Sequence, residues 1–358
     1  MGGGRKPPPF FYVQREKGSI LYMRFYRRLW VCAAAMAVAA FYYIYAGDFS
    51  RVVPAAADSF IRELIARQDH CARWFKPASS KKPVAVALIV HGLNVRPDMM
   101  EPVIAILNSA GIEALNVSLY GHGDNFIGHS HDPASDKRDR LESFKRVSYF
   151  LWLNEVHQAY LKVMLRARKL GVPVFFVGYS LGGLLGCDLL AAKPGVHFDR
   201  MVLFAPAIKL HPSIGYKLRP LKPFPEFVID SEAPEEQRAN DGTPVAAYAA
   251  LLEAIEDVEA HLGPKLNVPT LVFVDKEDEF VSHELLQGLI HDNGFDRWEI
   301  AAVAKDNATD ATISHHMILN EQSLGAGMWK EIARRIRAHF LPASTVIKAA
   351  PKPRRQQR

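Results

Sequence analysis

The chain has 358 residues, 49% of them hydrophobic and 23% charged, which are the proportions of a globular protein long enough for one large α/β domain with extensions. Its net charge of +6 is unevenly placed: residues 1–28 carry +6 and residues 342–358 carry +5, leaving the body mildly acidic at −5. That distribution argues against a nucleic-acid-binding domain and leaves open a polyanion contact by the two basic ends; the three cysteines, Cys32, Cys71 and Cys187, do not make a disulfide framework.

The basic segment 1–28 is followed by Leu29 to Ala46 (LWVCAAAMAVAAFYYIYA), 18 residues without a charge. As a helix this stretch would rise about 27 Å, near the roughly 30 Å of a bilayer core. Trp30 at one end and Tyr42, Tyr43 and Tyr45 at the other are placed as an aromatic belt. The reading is a transmembrane anchor. With the positive flank N-terminal, the short N-terminus is expected in the cytoplasm and the body on the far, periplasmic or extracytoplasmic, side. A cleaved signal peptide, with Ala55–Ala57 as the processing stretch and a secreted product, and a buried N-terminal helix stay open as alternatives. Residues 47–83 read as a juxtamembrane helix (Asp58 to Phe75) and a linker, PASSKKP at 77–83.

Residues 84–341 alternate apolar runs with helical stretches. Strands are expected at Val84–Val90, Glu113–Ser118, Val172–Val177, Arg200–Phe204, Thr270–Val274 and Glu299–Val303. Helices are expected at Met100–Ala110, Ser143–Leu170, Leu181–Ala192, Pro244–Leu262, His283–Asp292 and Ser323–Phe340. This alternation predicts an α/β class, a mainly parallel sheet with helices on both faces. Functional residues then belong at the carboxyl ends of the strands. The Pro- and Arg-rich stretch 342–358 has no core-forming pattern and is read as a disordered basic tail.

One strand runs directly into G-x-S-x-G: Val-Phe-Phe-Val-Gly-Tyr-Ser-Leu-Gly-Gly at 174–183. A turn this tight needs Gly178 and Gly182 and exposes Ser180 at a helix N-terminus, the setting of an acyl-transfer nucleophile. The strand at 84–90 ends in His91-Gly92-Leu93-Asn94, where the Leu93 N–H is expected to join the Leu181 N–H in an oxyanion hole. After the strand at 270–274 comes Asp275-Lys276-Glu277-Asp278-Glu279. Asp278, in the turn, is the preferred acid, Asp275 the second choice, and Glu277 and Glu279 are read as solvated. The base lies in Ser314-His315-His316; only one of the adjacent imidazoles can face Ser180, and His316 is preferred over His315.

The chain order serine, acid, histidine, together with HGLN (91–94), LYGHGDN (119–125), GYSLGG (178–183), LVFVDKEDEFV (271–281) and HMILNE (316–321), resembles the α/β-hydrolase superfamily, near its monoacylglycerol lipase, lysophospholipase and carboxylesterase branch. The resemblance implies the α/β-hydrolase fold and aligns His316, rather than His315, with that branch's base in H-x-L-L-N-E. Asp275 stands where the branch usually has Gly, leaving Asp278 in the acid's place. The insertion at about 206–262 would then be the cap, its Tyr216, Phe224 and Phe227 suited to an apolar acyl pocket. His122, Asp124, His129, His131 and Asp132 crowd one loop, but without H-x-x-x-H spacing, so neither a metal nor a cofactor is expected. The expected function is a serine hydrolase of carboxylic esters, lipid-like in type. The alternatives are an acyltransferase, thioesterase or serine peptidase on the same triad and, less well supported, a membrane-anchored binding protein. Expected partners are a lipid or small-molecule ester and the membrane.

Overall fold

The computed structural model describes residues 72–78, 82–130, 132–305 and 314–341. The segments read as basic terminus (1–28), anchor (29–46) and tail (342–358), and residues 47–71 of the juxtamembrane segment, lie outside the described residues. Among the described residues no helix is long and apolar enough to cross a membrane.

In chain order the elements are β1 (Ala72–Phe75), β2 (Ala85–Val90), α1 (Glu101–Ser109), β3 (Ile112–Val117), α2 (Pro133–Phe144), α3 (Tyr149–Leu170), β4 (Val174–Tyr179), α4 (Leu181–Ala192) and β5 (Arg200–Phe204). There follow α5 (Pro212–Leu218), β6 (Val228–Asp230), β7 (Gly242–Pro244), α6 (Val245–Ala260), β8 (Thr270–Asp275), α7 (His283–Asp292), β9 (Trp298–Val303), α8 (Glu321–Leu324) and α9 (Ala326–Phe340). Seven strands form one sheet in the order β1-β3-β2-β4-β5-β8-β9. Every pairing is parallel except β1 with β3.

The period of two along each strand divides the core between the two faces. On β2, Val86, Leu88 and Val90 pack on one side with residues of α3, α4 and α6. Ala85, Ala87 and Ile89 pack on the other with residues of α1 and α9. The central strands are buried on both faces, which is why they read as unbroken apolar runs.

All six expected strands are present. Four local departures have physical causes. Ala72–Phe75 was expected to end a helix but forms β1, with Trp74 opposite Leu115. Aromatic residues favour a pleated surface, and the edge of β3 offers backbone groups that need partners. The stretch Ser143–Leu170, expected as one helix, breaks after Phe144. Ser148 restarts it as an N-cap, its hydroxyl accepting from Leu151 N at 3.2 Å. Ser323–Phe340 breaks at Gly325, whose φ of 88° no helix accommodates. The insertion after β5 holds α5 and the β6–β7 hairpin, neither of them expected; Tyr216, Phe224 and Phe227 on it are exposed rather than packed into a pocket.

Candidate active site

β4 runs into α4 through Ser180, whose φ of 50° and ψ of −115° lie outside the ordinary regions for a non-glycine residue. Such a conformation costs about 1–3 kcal/mol and persists only where its surroundings hold it. Three backbone bonds do so: Ser180 N donates to Phe204 O at 2.9 Å, and Ser180 O accepts from Leu184 N and Ala207 N, both at 3.1 Å. The flanking glycines are required by close approach. A Cβ on Gly178 would meet Gly183 N at 2.6 Å, and one on Gly182 would collide with the carbonyl oxygens of Val90 and His91. The helix start is therefore pressed against the end of β2, and Ser180 stands between them.

Ser180 Oγ lies 2.9 Å from His316 Nε2, and His316 Nδ1 lies 2.8 Å from Asp278 Oδ2. The Asp278 side chain is fully buried. Its other oxygen, Oδ1, accepts the N–H groups of Phe280 and Val281, each at 2.8 Å. Burial pushes the Asp278 carboxyl up, but the neighbouring His316 and the N–H groups of Val281 and Phe280 outweigh it and hold the group below the usual carboxylate range. The structure thus brings together the preferred members of each pair of candidates. The two that remain find each other: His315 Nδ1 lies 2.9 Å from Asp275 Oδ2, pointing away from Ser180 as neighbouring side chains must.

The histidine loop is held by residues whose part was not evident in the sequence. Glu279, expected to be merely solvated, accepts Ser314 Oγ at 3.0 Å, His315 N at 2.7 Å and His316 N at 2.9 Å. Tyr179, the residue before Ser180, donates its hydroxyl to His316 O at 3.2 Å. Burial, with Asp278 and Glu279 nearby, pushes that phenol well up, so it is a fixed donor. Phe280 meets the His316 ring edge-on at 5.1 Å.

The loop 91–94 sits against the serine: a Cβ on Gly92 would lie 3.2 Å from Ser180 Cβ. Among the described residues no backbone carbonyl accepts the N–H of Leu93 or of Leu181. Two buried histidines brace the loop. His91 donates from Nδ1 to Gly92 O (2.8 Å) and accepts Leu119 N at Nε2 (3.1 Å). His122 accepts Asn94 N at 3.0 Å, its ring 4.7 Å from that of His91. Burial lowers His91 to about 4 and His122 well below its ordinary value, so both are neutral. Asn94, at φ 51°, is clamped to the insertion by reciprocal bonds with Asn240, 3.1 and 2.9 Å. His122 is therefore a structural member, and the His129 ring lies tilted against Phe126, 4.1 Å between centroids; His131 lies outside the described residues.

A buried serine in hydrogen-bonded contact with an imidazole that is itself bonded to a buried carboxylate is an arrangement suited to acyl transfer. Among curated proteins the chain is similar to phospholipase YtpA of Bacillus subtilis (strain 168), 24% identical over 243 residues that span 61% of this chain and 87% of that protein. Among solved structures it is similar to a soluble variant of monoglyceride lipase from Saccharomyces cerevisiae, with a TM-score of 0.59, 13% identity and coverage of 75% of this chain and 90% of that one. It is also similar to the monoacylglycerol lipase of Paleococcus ferrophilus, with a TM-score of 0.53, 17% identity and coverage of 75% and 98%. The fold is that of an α/β-hydrolase. Residues 81–323, most of the described sheet and its helices, match the family Hydrolase_4, described as serine aminopeptidase, S33, and the chain belongs to that family of hydrolases.

Proposed function

We propose that the protein is a serine hydrolase that cleaves carboxylic esters of lipid-like substrates, of monoacylglycerol or lysophospholipid type, through Ser180, His316 and Asp278. The observation that carries this reading is the hydrogen-bonded chain from Ser180 Oγ to His316 to Asp278. His316 Nε2 takes the proton as Ser180 Oγ attacks the ester carbonyl. Asp278 stabilises the imidazolium and fixes its tautomer. The N–H groups of Leu93 and Leu181 hold the oxyanion. His316 then protonates the leaving alcohol and activates the water that releases the acid. The lipid-like character is supported by similarity to proteins named phospholipase and monoglyceride lipase and by the aromatic residues Tyr216, Phe224 and Phe227 exposed on the insertion.

The family's description as a serine aminopeptidase favours a second reading, hydrolysis of aminoacyl amides by the same groups. A panel of short-acyl esters, monoacylglycerols, lysophospholipids and aminoacyl amides, each run with wild type and Ser180→Ala, separates the two. Ser180-dependent turnover of the lipid esters supports the first reading, and turnover confined to the amides replaces it with the second. On the sequence of residues 29–46, the domain is tethered by an N-terminal helix on the far side of a membrane. Protease accessibility of the domain in intact and permeabilised cells tests that placement.

A further inference from the structure

Two carboxylates and an imidazole converge where α3, α4 and α6 meet. Asp188 lies on α4, eight residues or about 12 Å beyond Ser180, and is fully buried. Its Oδ2 accepts the Tyr149 hydroxyl at 2.5 Å, whereas Oδ1 has no hydrogen-bond partner. Asp257 and His261 stand four residues apart at the end of α6 and so share a face. His261 Nδ1 lies 2.8 Å from Asp257 O and 3.1 Å from Asp257 Oδ2. One donor atom from each of Asp188, Asp257 and His261 lies within 4.8 Å of the others, and among the described residues no other three such side chains converge in this way.

Two carboxylates this close, one of them buried, do not both stay ionised on their own: burial and the neighbouring Asp257 push the Asp188 carboxyl up to about 7, so the pair either shares a proton or holds a cation. The basic side chains against α6 do not supply it: Lys209 pairs with Glu259 at 2.5 Å and Arg219 with Glu256 at 3.8 Å. Two carboxylate oxygens and an imidazole nitrogen are a donor set for a divalent transition metal such as Zn²⁺, and the imidazole disfavours Ca²⁺ and Mg²⁺. Bonds of about 2.0–2.1 Å in a tetrahedron separate donors by about 3.3 Å. The His261 Nδ1–Asp257 Oδ2 distance of 3.1 Å is near this value, and Nδ1, which donates to Asp257 O at 2.8 Å, would give up that proton and that bond to bind the metal. The remaining spread closes by about 1.5 Å of side-chain movement, on the scale of a rotamer adjustment, at the half-buried Asp257 and the exposed His261. His261 also opens the site to solvent, giving the metal an entry path and a water for its fourth position. The Tyr149 hydroxyl donates to the Asp188 carboxylate and also neighbours that of Asp257, bracing both as partners of metal ligands do.

We propose that Asp188, Asp257 and His261 form a structural Zn²⁺ site that ties α6 to α4, the helix that follows Ser180. This site is absent from the sequence reading, because its ligands come from two helices and the third helix supplies only the supporting phenol. It lies apart from the groups proposed for ester cleavage, and its test does not depend on turnover. The full chain, stripped with chelator, is titrated with Zn²⁺ by calorimetry and melted at increasing Zn²⁺. Wild type is expected to bind one Zn²⁺ per chain, with a melting temperature that rises with metal concentration by mass action. Asp257→Asn and His261→Ala, which change side chains that reach solvent and leave the core intact, are expected to lose both effects. Tyr149→Phe is expected to weaken binding by about tenfold. Absence of stoichiometric binding to folded wild type overturns the proposal, as does binding of equal strength by Asp257→Asn and His261→Ala.

Discussion

Replacing Asp278 by Asn tests the proposed roles at the level of a single proton. Asp278 Oδ1 accepts two backbone N–H groups, so the amide oxygen of the introduced asparagine must take that position, because an NH₂ there would face two donors. The NH₂ is then left at the Oδ2 position, 2.8 Å from His316 Nδ1. An NH₂ only donates, so His316 must offer a lone pair at Nδ1 and carry its proton on Nε2. That proton points at Ser180 Oγ, 2.9 Å away, and the ring can no longer act as base. The wrong tautomer costs a serine triad about 10⁴-fold in kcat, equivalent to about 5 kcal/mol of transition-state stabilisation. Because both N–H groups keep their acceptor, the melting temperature should change little. The control is Asp275→Asn, which disturbs the His315 pair and the bond from Glu277 N but no bond of Ser180, His316 or Asp278, and should lower turnover by less than about tenfold, or 1.4 kcal/mol. The assay is steady-state hydrolysis of a chromogenic short-acyl ester alongside thermal melting. Asp278→Asn retaining a tenth or more of wild-type kcat, or Asp275→Asn losing as much as Asp278→Asn, refutes the reasoning.

Three further outcomes are expected. Glu279→Ala removes the acceptor shared by Ser314, His315 and His316; kcat should fall by about tenfold through mispositioning of His316, with KM little changed, and an unaltered kcat contradicts the anchoring role. Gly182→Ala drives a methyl into the carbonyls of Val90 and His91; calorimetric melting should register a loss of about 1–3 kcal/mol or more, together with loss of activity, and a variant as stable as wild type contradicts the packing argument. The third concerns acid. Burial holds His91 at about 4 in the folded state, below its unfolded value, so between those values the unfolded chain takes up a proton that the folded chain does not. Stability is therefore lost as pH falls from about 6.5 toward 4, by about 3 kcal/mol at 1.4 kcal/mol per unit. Urea unfolding at pH 7 and pH 4.5 should show a larger acid loss for wild type than for His91→Gln; equal losses contradict it.

The sheet was legible because its central strands are buried on both faces and stand out as apolar runs, and because Gly178 and Gly182 mark a turn that few other residues can form. The same logic placed Leu93, Leu181, Asp278 and the histidine pair at strand ends. The structure pairs His316 with Asp278 and His315 with Asp275, a division that adjacency alone leaves undecided and that the turn position of Asp278, the preference for His316 and the resemblance to related hydrolases favour. Glu279 was misread because its exposure is real while its three bonds go to backbone and a serine hydroxyl contributed by a loop 35 or more residues away. The bracing of the 91–94 loop by His122 and Asn240 is non-local in the same way. β1 was hidden because four residues carry little periodicity, and the partner strand β3, rather than its own pattern, decides its conformation.

The most direct test of the central claim is mass spectrometry of the protein after reaction with a serine-directed fluorophosphonate, combined with ester turnover by Ser180→Ala. The account predicts a single adduct on the peptide containing Ser180, and a folded Ser180→Ala variant that neither labels nor turns over ester. An adduct on another residue, or a folded Ser180→Ala variant with wild-type turnover, would contradict it.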